Sequence, residues 1–363
     1  MVSSRVIGVG FRRWKAAHVR PLLSLHPERV VFVADAAGAQ ALTPGPEDRL
    51  VCWGRDAPAG LEALADRSGA VLWRMEDGFV RSVGLGSDLI RPMSLVLDSQ
   101  GLYFDPARPS DLEQLLNTHP FSEEELARAR WVREFIVAHG LTKYNLEPRE
   151  PVDWPSDGRR VVLVPGQVED DASIRYGCST VRSNLALLQA ARLACPEAYI
   201  VYKPHPDVLS GNRAGQVALA SAAGYADRVE SRLSVVSCIE ACDEVHTMTS
   251  LTGFDALLRG KQVHTYGQPF YAGWGLSVDH VSEGGAFARR SRRLGLDELV
   301  AGALLLYPRY WDWTLMGYTR CESVLQQLVA QRDRLEAGGG LERLRVGYLR
   351  RQWRKLRTLL ITV

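Results

Sequence analysis

Residues 164–177 read VPGQVEDDASIRYG: an apolar run that begins at Val161 meets Pro165-Gly166, and three consecutive acids follow, Glu169, Asp170 and Asp171. Like charges this close repel and can raise one pKa. A solvated turn tolerates that, and a reacting carboxylate exploits it, so the segment by itself leaves both readings open. Four other stretches raise the same kind of question. EDGFVRSVGLGSD, Glu76–Asp88, holds three acids, one arginine and three glycines in thirteen residues. YKPHPD, Tyr202–Asp207, fixes Lys203 and His205 around two prolines, which stiffen the turn. TMTSLTGFDALL, Thr247–Leu258, puts Ser250 and Thr252 at a helix start, where free N–H groups and the dipole suit a phosphate. QPFYAGWG, Gln268–Gly275, is an aromatic, glycine-rich turn.

Each stretch also has a plain structural reading. The prolines beside His205 shape a turn in any protein, Ser250 and Thr252 make ordinary N-caps, and Tyr271 and Trp274 make ordinary core aromatics. The coincidence favours chemistry: acids, a Lys/His turn and a hydroxyl-capped helix all follow strands of one sheet. Together they suit a phosphorylated donor held beside a carboxylate. Other site classes fit less well. GVGF, Gly8–Phe11, has Arg13 where a dinucleotide fingerprint needs its third glycine. There is no Walker A run and no G-x-S-x-G elbow. A metal-dependent sugar transferase would usually show an isolated D-x-D. Here Lys203 and His205 suffice to neutralise a single-phosphate donor, so the expectation is no metal and no cofactor.

The elements that must position these residues alternate β and α. Strands are predicted at Arg5–Gly10, Arg29–Ala36, Arg49–Gly54 and Ala70–Met75, with helices near Trp14–Leu25 and Gly60–Arg67. Capping boxes open helices at Ser110…Glu113 and Ser122…Glu125. Leu141–Arg160, with three prolines and little periodicity, reads as a linker. Strands then recur at Val161–Gly166, Ala198–Pro204, Asp243–Ser250 and Lys261–Gly267, with helices at Ser179–Ala194, Asn212–Ala223 and Gly253–Arg259. Beyond Arg292 the pattern reads as helical to the end. The fold class is therefore α/β: two doubly wound Rossmann-like domains facing a cleft, residues 1–150 and 151–292, with a helical C-terminal extension over 293–363.

Composition sets the outer bounds. At 363 residues the chain is long enough for two cored domains, and 46% hydrophobic with 24% charged residues is ordinary globular usage. A net charge of +2 gives no argument for nucleic acid. No apolar run reaches transmembrane length, and the N-terminus lacks a signal-peptide h-region. The six cysteines are scattered without metal-site pairing; Cys238 and Cys242, four apart, suit one face of a helix. The expectation is a reduced, cytoplasmic protein.

The motifs are also familiar as a set. GFRRWK, the stretch from EDGF to DLEQLL, LTKYNL, VPGQVEDDASIRYG, YIVYKPHPD, the run from VHTMTS to YAGWG, and RQWRKL resemble, in order and over essentially the whole chain, the KpsC family of bacterial capsule β-Kdo transferases. KpsC proteins carry two fused transferase modules, whereas this chain has one EDGF and one HP motif and is similar to the C-terminal module. The resemblance implies a GT-B-like retaining transferase. It would move Kdo from CMP-β-Kdo to a (lyso)phosphatidylglycerol-linked Kdo acceptor during capsule linker synthesis, making one linkage, β-2,7. It assigns Asp171 as nucleophile and Glu76 as the group that deprotonates the acceptor, with Asp77, Glu169 and Asp170 as secondary candidates. Lys203, His205, Ser250, Thr252 and Gln268 would bind the CMP portion, and Arg81 or Arg175 the Kdo carboxylate. A second Kdo transferase module is an implied partner. Two other classes stay open: an inverting CMP- or UDP-sugar transferase on the same scaffold, and a non-catalytic component that binds the capsule glycolipid.

Leu341–Val363 carries seven Arg or Lys against one acid, with Leu344, Tyr348, Leu349, Trp353, Leu356 and Leu360 on one helical stripe. Such a helix suits an anionic membrane surface, placing the enzyme peripherally on the cytoplasmic face of the inner membrane. Packing back onto the first domain is the alternative.

Overall fold

The computed structural model describes residues 4–84, 89–145, 149–209, 214–281 and 284–340. Thirteen strands form two sheets among them. The first sheet begins with β1 (Val6–Val9), β2 (Val30–Val33), β3 (Arg49–Trp53), β4 (Val71–Asp77) and β5 (Ser94–Asp98). The second holds β6 (Val161–Pro165), β7 (Tyr199–Lys203), β8 (Arg228–Val229), β9 (Glu244–Thr247), β10 (Gln262–Thr265) and β11 (Val278–Asp279). The chain then returns to the first sheet as β12 (Pro308–Asp312) and β13 (Gly317–Thr319).

The second sheet is parallel throughout, in the order β11-β10-β9-β6-β7-β8. Successive strands therefore run outward in both directions from the β6/β9 pair. That pair is the switch point, where loops leaving the carboxyl ends of the strands diverge and open a crevice. β6 (VVLVP) is apolar end to end and β7 (YIVYK) up to its last residue, as burial on both faces demands. The first sheet has the order β13-β12-β5-β4-β3-β1-β2, with its switch point between β1 and β3. Only β1 to β4 are parallel; β5, β12 and β13 add antiparallel at one side.

Three expectations are corrected here. The first sheet is mixed rather than parallel. The region beyond Arg292 is not wholly helical: after the helical turns of Leu296–Leu306, the aromatic run PRYWD pairs with β5, which would otherwise be an open edge. And β4 does not stop at Met75 but continues through Glu76 and Asp77, opposite Val96 and Leu95. Of the two capping boxes, Ser122 and Glu125 form theirs reciprocally. Ser110 caps its helix, but the Glu113 carboxylate turns instead to Arg289 at 2.5 Å.

The two halves share one core. Phe79, Leu112, Val132 and Ile136 belong to the same buried cluster as Leu163, Val201, Val245, Phe254 and Trp274. Leu141 and Trp154 join it, so the expected linker contributes to the core although it holds no regular element among the described residues. Within the described residues no helix is long and apolar enough to cross a membrane. The basic segment Leu341–Val363 lies outside them.

Candidate active site

At the β6/β9 switch point the chain leaves β6 through Gly166. A Cβ there would lie 2.9 Å from the Tyr202 hydroxyl and 3.2 Å from the backbone of Pro204 and His205, so only glycine lets the loops after β6 and β7 run this close. The buried Gln167 then joins the β6 and β9 loops. Its Oε1 accepts from the Thr249 N–H at 3.0 Å, and its Nε2 donates to Thr249 Oγ1 at 3.1 Å. Gln167 N–H in turn donates to Asn184 Oδ1 at 2.8 Å.

The three acids separate by role. Glu169 accepts the Asn184 N–H at 2.7 Å, satisfying a donor at the start of the Asn184–Ala194 helix. Asp170 is exposed and within electrostatic reach of Arg175. Asp171 is the N-cap of the Ala172–Gly177 helix: its Oδ1 accepts from Ser173 N–H at 2.9 Å and from Ser173 Oγ at 2.7 Å. Ser173 Oγ in turn accepts from Thr249 Oγ1 at 3.2 Å. One carboxylate oxygen is thus tethered, while Oδ2 takes no hydrogen bond among the described residues. The tether places Asp171 beside the N-terminus of the Leu251–Leu258 helix, where Ser250 caps the Thr252 N–H at 3.1 Å and its hydroxyl meets Thr252 Oγ1 at 3.0 Å.

His205 follows β7, and its Nδ1 accepts the Asp207 N–H at 3.1 Å. That acceptor role assigns the ring proton of the neutral imidazole to Nε2. Lys203 is buried and its ammonium donates to the Leu233 carbonyl at 2.5 Å, so a donor phosphate would have to share it. Gln268 is engaged by the fold: its side-chain Oε1 accepts from Ala286 N–H at 3.1 Å, and its backbone N–H donates to Gly177 O at 2.8 Å.

The second acid group stands on the other sheet. Glu76 and Asp77 end β4, and Glu76 Oε1 accepts the Asp77 N–H at 2.9 Å. Burial, reinforced by the neighbouring Asp77 carboxylate, pushes the Glu76 pKa up to about 7, against the opposing pull of Lys143 and Lys15. Burial pulls Lys15 down, with Glu76 and Asp77 partly restoring it; its ammonium sits 3.4 Å from the Trp53 ring centre. Lys143 stays charged despite burial because Tyr144, Tyr103, Asp77 and Glu76 surround it. Arg81 is buried and pairs with Asp77 at 2.9 Å. Gly78 permits the sharp exit from β4, since a Cβ there would strike Ser94 Oγ at 2.2 Å. Phe79 then packs 4.5 Å from the Phe270 ring and 6.2 Å from Phe254, tying this acid pair to the loops of the second sheet.

Of the residues singled out from sequence, Asp171, Ser250 and Thr252 come together around Ser173 and Thr249. Glu76, Asp77 and Arg81 form the other group. No direct contact joins the two groups among the described residues. Arg175 is exposed, on the same short helix as Asp171. That helix also spans the two halves: Tyr176 donates to Asp56 Oδ2 at 3.0 Å and stacks under Arg55 at 4.0 Å. The sequence reading missed Lys15, Lys143, Gln167, Ser173 and Thr249. LTKYNL accompanies EDGF because Arg81 and Ser82 N–H donate to the Lys143 carbonyl, and GFRRWK because Lys15 lies within electrostatic reach of Glu76 and Asp77.

Residues 48–153 and 152–310 match the family of capsule polysaccharide biosynthesis proteins. The capsule polysaccharide modification protein LipA of Neisseria meningitidis serogroup A is 42% identical over 335 residues, 92% of this chain and 47% of that protein. The chain thus spans about half the length of the meningococcal protein. The lipopolysaccharide-processing protein LpsZ of Rhizobium meliloti is 41% identical, over 78% of this chain and 64% of that one. Two solved structures from Thermosulfurimonas dismutans KpsC superpose over nearly their full length. Its β-Kdo 2,7 transferase matches with TM-score 0.71 and 34% identity, covering 90% of this chain and 99% of that one. Its β-Kdo 2,4 transferase matches with TM-score 0.76 and 31% identity, covering 89% and 97%. The chain belongs to the capsule polysaccharide biosynthesis protein family, in its KpsC-type branch.

Proposed function

We propose that this protein is a retaining glycosyltransferase that moves Kdo from CMP-β-Kdo to a lipid-linked Kdo acceptor in capsule linker synthesis. The observation that carries the reading is Asp171, held by Ser173 at the switch-point crevice with one carboxylate oxygen left over. In the first step Asp171 Oδ2 attacks the anomeric carbon, the bond from that carbon to the CMP phosphate oxygen breaks, and CMP leaves. His205 Nε2–H and the hydroxyl-capped start of the Leu251–Leu258 helix receive the departing phosphate. In the second step the acceptor hydroxyl attacks the same carbon, the bond to Asp171 breaks, and Glu76 takes the hydroxyl proton. Two inversions give net retention. A carboxyl with a pKa of about 7 suits that proton transfer at neutral pH.

We assign the Kdo carboxylate to Arg175 rather than Arg81, because Arg81 is already paired with Asp77. The charged groups of the crevice neutralise the phosphate without a metal in this scheme. The linkage implied by the sequence motifs is β-2,7. Identity favours the 2,7 module at 34% against 31%, whereas superposition favours the 2,4 module at 0.76 against 0.71, so the product decides. Incubating the protein with CMP-β-Kdo and a fluorescent Kdo-glycolipid should yield a singly extended product, β-configured by NMR. An α-linked product would establish inversion, and no turnover of CMP-Kdo would favour a glycolipid-binding role.

A further inference from the structure

The second sheet holds a cluster that the proposed reaction does not use. Glu244 and His246 alternate along β9, His264 is the cross-strand neighbour of His246 on β10, and Cys195 follows the Asn184–Ala194 helix. Cys195 Sγ, Glu244 Oε2 and His246 Nε2 converge with all three atoms within 4.8 Å of one another, and all three residues are buried. The edges are 3.3 Å from nitrogen to oxygen, 3.7 Å from sulfur to nitrogen and 3.9 Å from sulfur to oxygen. Tetrahedral zinc has bonds of about 2.3 Å to sulfur and about 2.0–2.1 Å to nitrogen and oxygen, which puts neighbouring ligands about 3.3–3.6 Å apart. The triangle is therefore close to ligand spacing before any ion enters.

The surroundings also suit a ligand set. His246 Nδ1 meets the Tyr266 hydroxyl at 3.0 Å, the outer contact that fixes a ligating imidazole with Nε2 inward. His264 stacks on His246 with ring centres 4.1 Å apart and its Nε2 lies 3.5 Å from the same Glu244 oxygen, so it packs beside the triangle. Its Nδ1 is engaged by His280 at 3.0 Å. Arg160 holds the other Glu244 oxygen at 2.6 Å and lies 3.6 Å from Cys195 Sγ, compensating the anionic ligands from outside.

We propose that Cys195, Glu244 and His246 form a structural zinc site. Zinc binding would release the Cys195 thiol proton to solvent. The ion would pin the C-terminal end of the Asn184–Ala194 helix to β9. The opposite end of that helix holds Gln167 and Glu169, so the site braces the loop that carries Asp171.

The test uses the full-length protein, stripped by chelator and reloaded with Zn²⁺ or Co²⁺ alone. One zinc per chain should survive desalting, and the thermal midpoint should rise. The cobalt form should show a thiolate-to-metal charge-transfer band with tetrahedral d–d intensity. Zinc X-ray absorption should report one sulfur among nitrogen and oxygen scatterers. Cys195→Ser should lose the charge-transfer band and Cys52→Ser should keep it, while Tyr266→Phe should bind zinc about 10–100-fold more weakly. Failure of the wild-type protein to retain zinc, or a zinc shell without sulfur, overturns the proposal without reliance on any variant. A charge-transfer band that persists in Cys195→Ser overturns it equally.

Discussion

Asp171 has two tasks in this structure, and they can be separated by substitution. As an N-cap it satisfies the Ser173 N–H, and as the proposed nucleophile it must present Oδ2. Asn caps helices about as well as Asp, whereas Ala at a cap costs about 0.5–2 kcal/mol. Asp171→Asn should therefore keep the thermal midpoint and abolish transfer, while Asp171→Ala should lose both activity and some stability. Wild-type turnover by the folded Asn variant would sink the nucleophile assignment. Glu76 is tested by pH. A base with a pKa of about 7 must be ionised, so kcat/KM should climb through neutral pH, and Glu76→Gln should remove that limb with most of the rate. The sign for stability is opposite. A carboxyl raised from its ordinary 4.5 holds its proton more tightly when folded, so its contribution is lost as pH rises from about 4.5 through about 7. Urea titrations of wild type and Glu76→Gln across that window should show the variant losing less. The acids were legible as a cluster because three in a row are conspicuous. Their division into a helix-start partner, an exposed charge and a tethered cap was not, because it depends on Asn184 and Thr249, thirteen and seventy-eight residues beyond Asp171.

Among the elements, β6 and β7 could be read directly, since VVLVP and the YIVY of YIVYK are continuous apolar runs that end at Gly166 and at Lys203-Pro204. What periodicity could not give was the antiparallel side of the first sheet. PRYWD sits beyond a run that reads as helix and pairs with SLVLD more than two hundred residues earlier, while SLVLD pairs back onto β4 across a sixteen-residue loop, too long to signal a hairpin. The zinc ligands were hidden for the same reason: Cys195 and His246 are separated by 51 positions, and a search by spacing sees only a scattered cysteine and a strand histidine. The loops of the crevice make a prediction at this scale. Gly166→Ala would place a methyl 3.2 Å from the backbone of Pro204 and His205, atoms that cannot swing aside, so the turn carrying His205 must shift. CMP affinity should fall in a protein that still unfolds cooperatively. His205→Ala should cost about 1.5–3 kcal/mol in CMP binding, as loss of a charge-assisted contact does, and the combined variant should add little to either single change. Full additivity would place Gly166 and the phosphate contact in independent parts of the molecule.

On the scale of the whole molecule, the return of the chain to the first sheet makes the two halves one folding unit. Leu299, Val300, Leu304 and Tyr310 are buried in the core that also contains Leu163, Val245 and Phe254 of the second half. Burying a large apolar side chain contributes about 1.5–3 kcal/mol, and a whole domain is stable by only about 5–15 kcal/mol. A chain ending at Arg292 should consequently fail to fold, for it loses these residues and opens the β5 edge. A chain ending at Gly340 keeps both strands and the Cys321–Ala337 helix, and it should show a single thermal transition and full activity on a short soluble acceptor. It lacks the seven basic residues of Leu341–Val363, of which each near an anionic surface contributes about 1 kcal/mol before screening. The Gly340 truncation should therefore sediment far less than the full chain with anionic liposomes, at low salt above all, and equally with neutral ones. Undiminished binding to anionic liposomes by the folded truncation would remove the membrane role from the basic segment. Loss of turnover on the soluble acceptor would instead assign that segment to the fold.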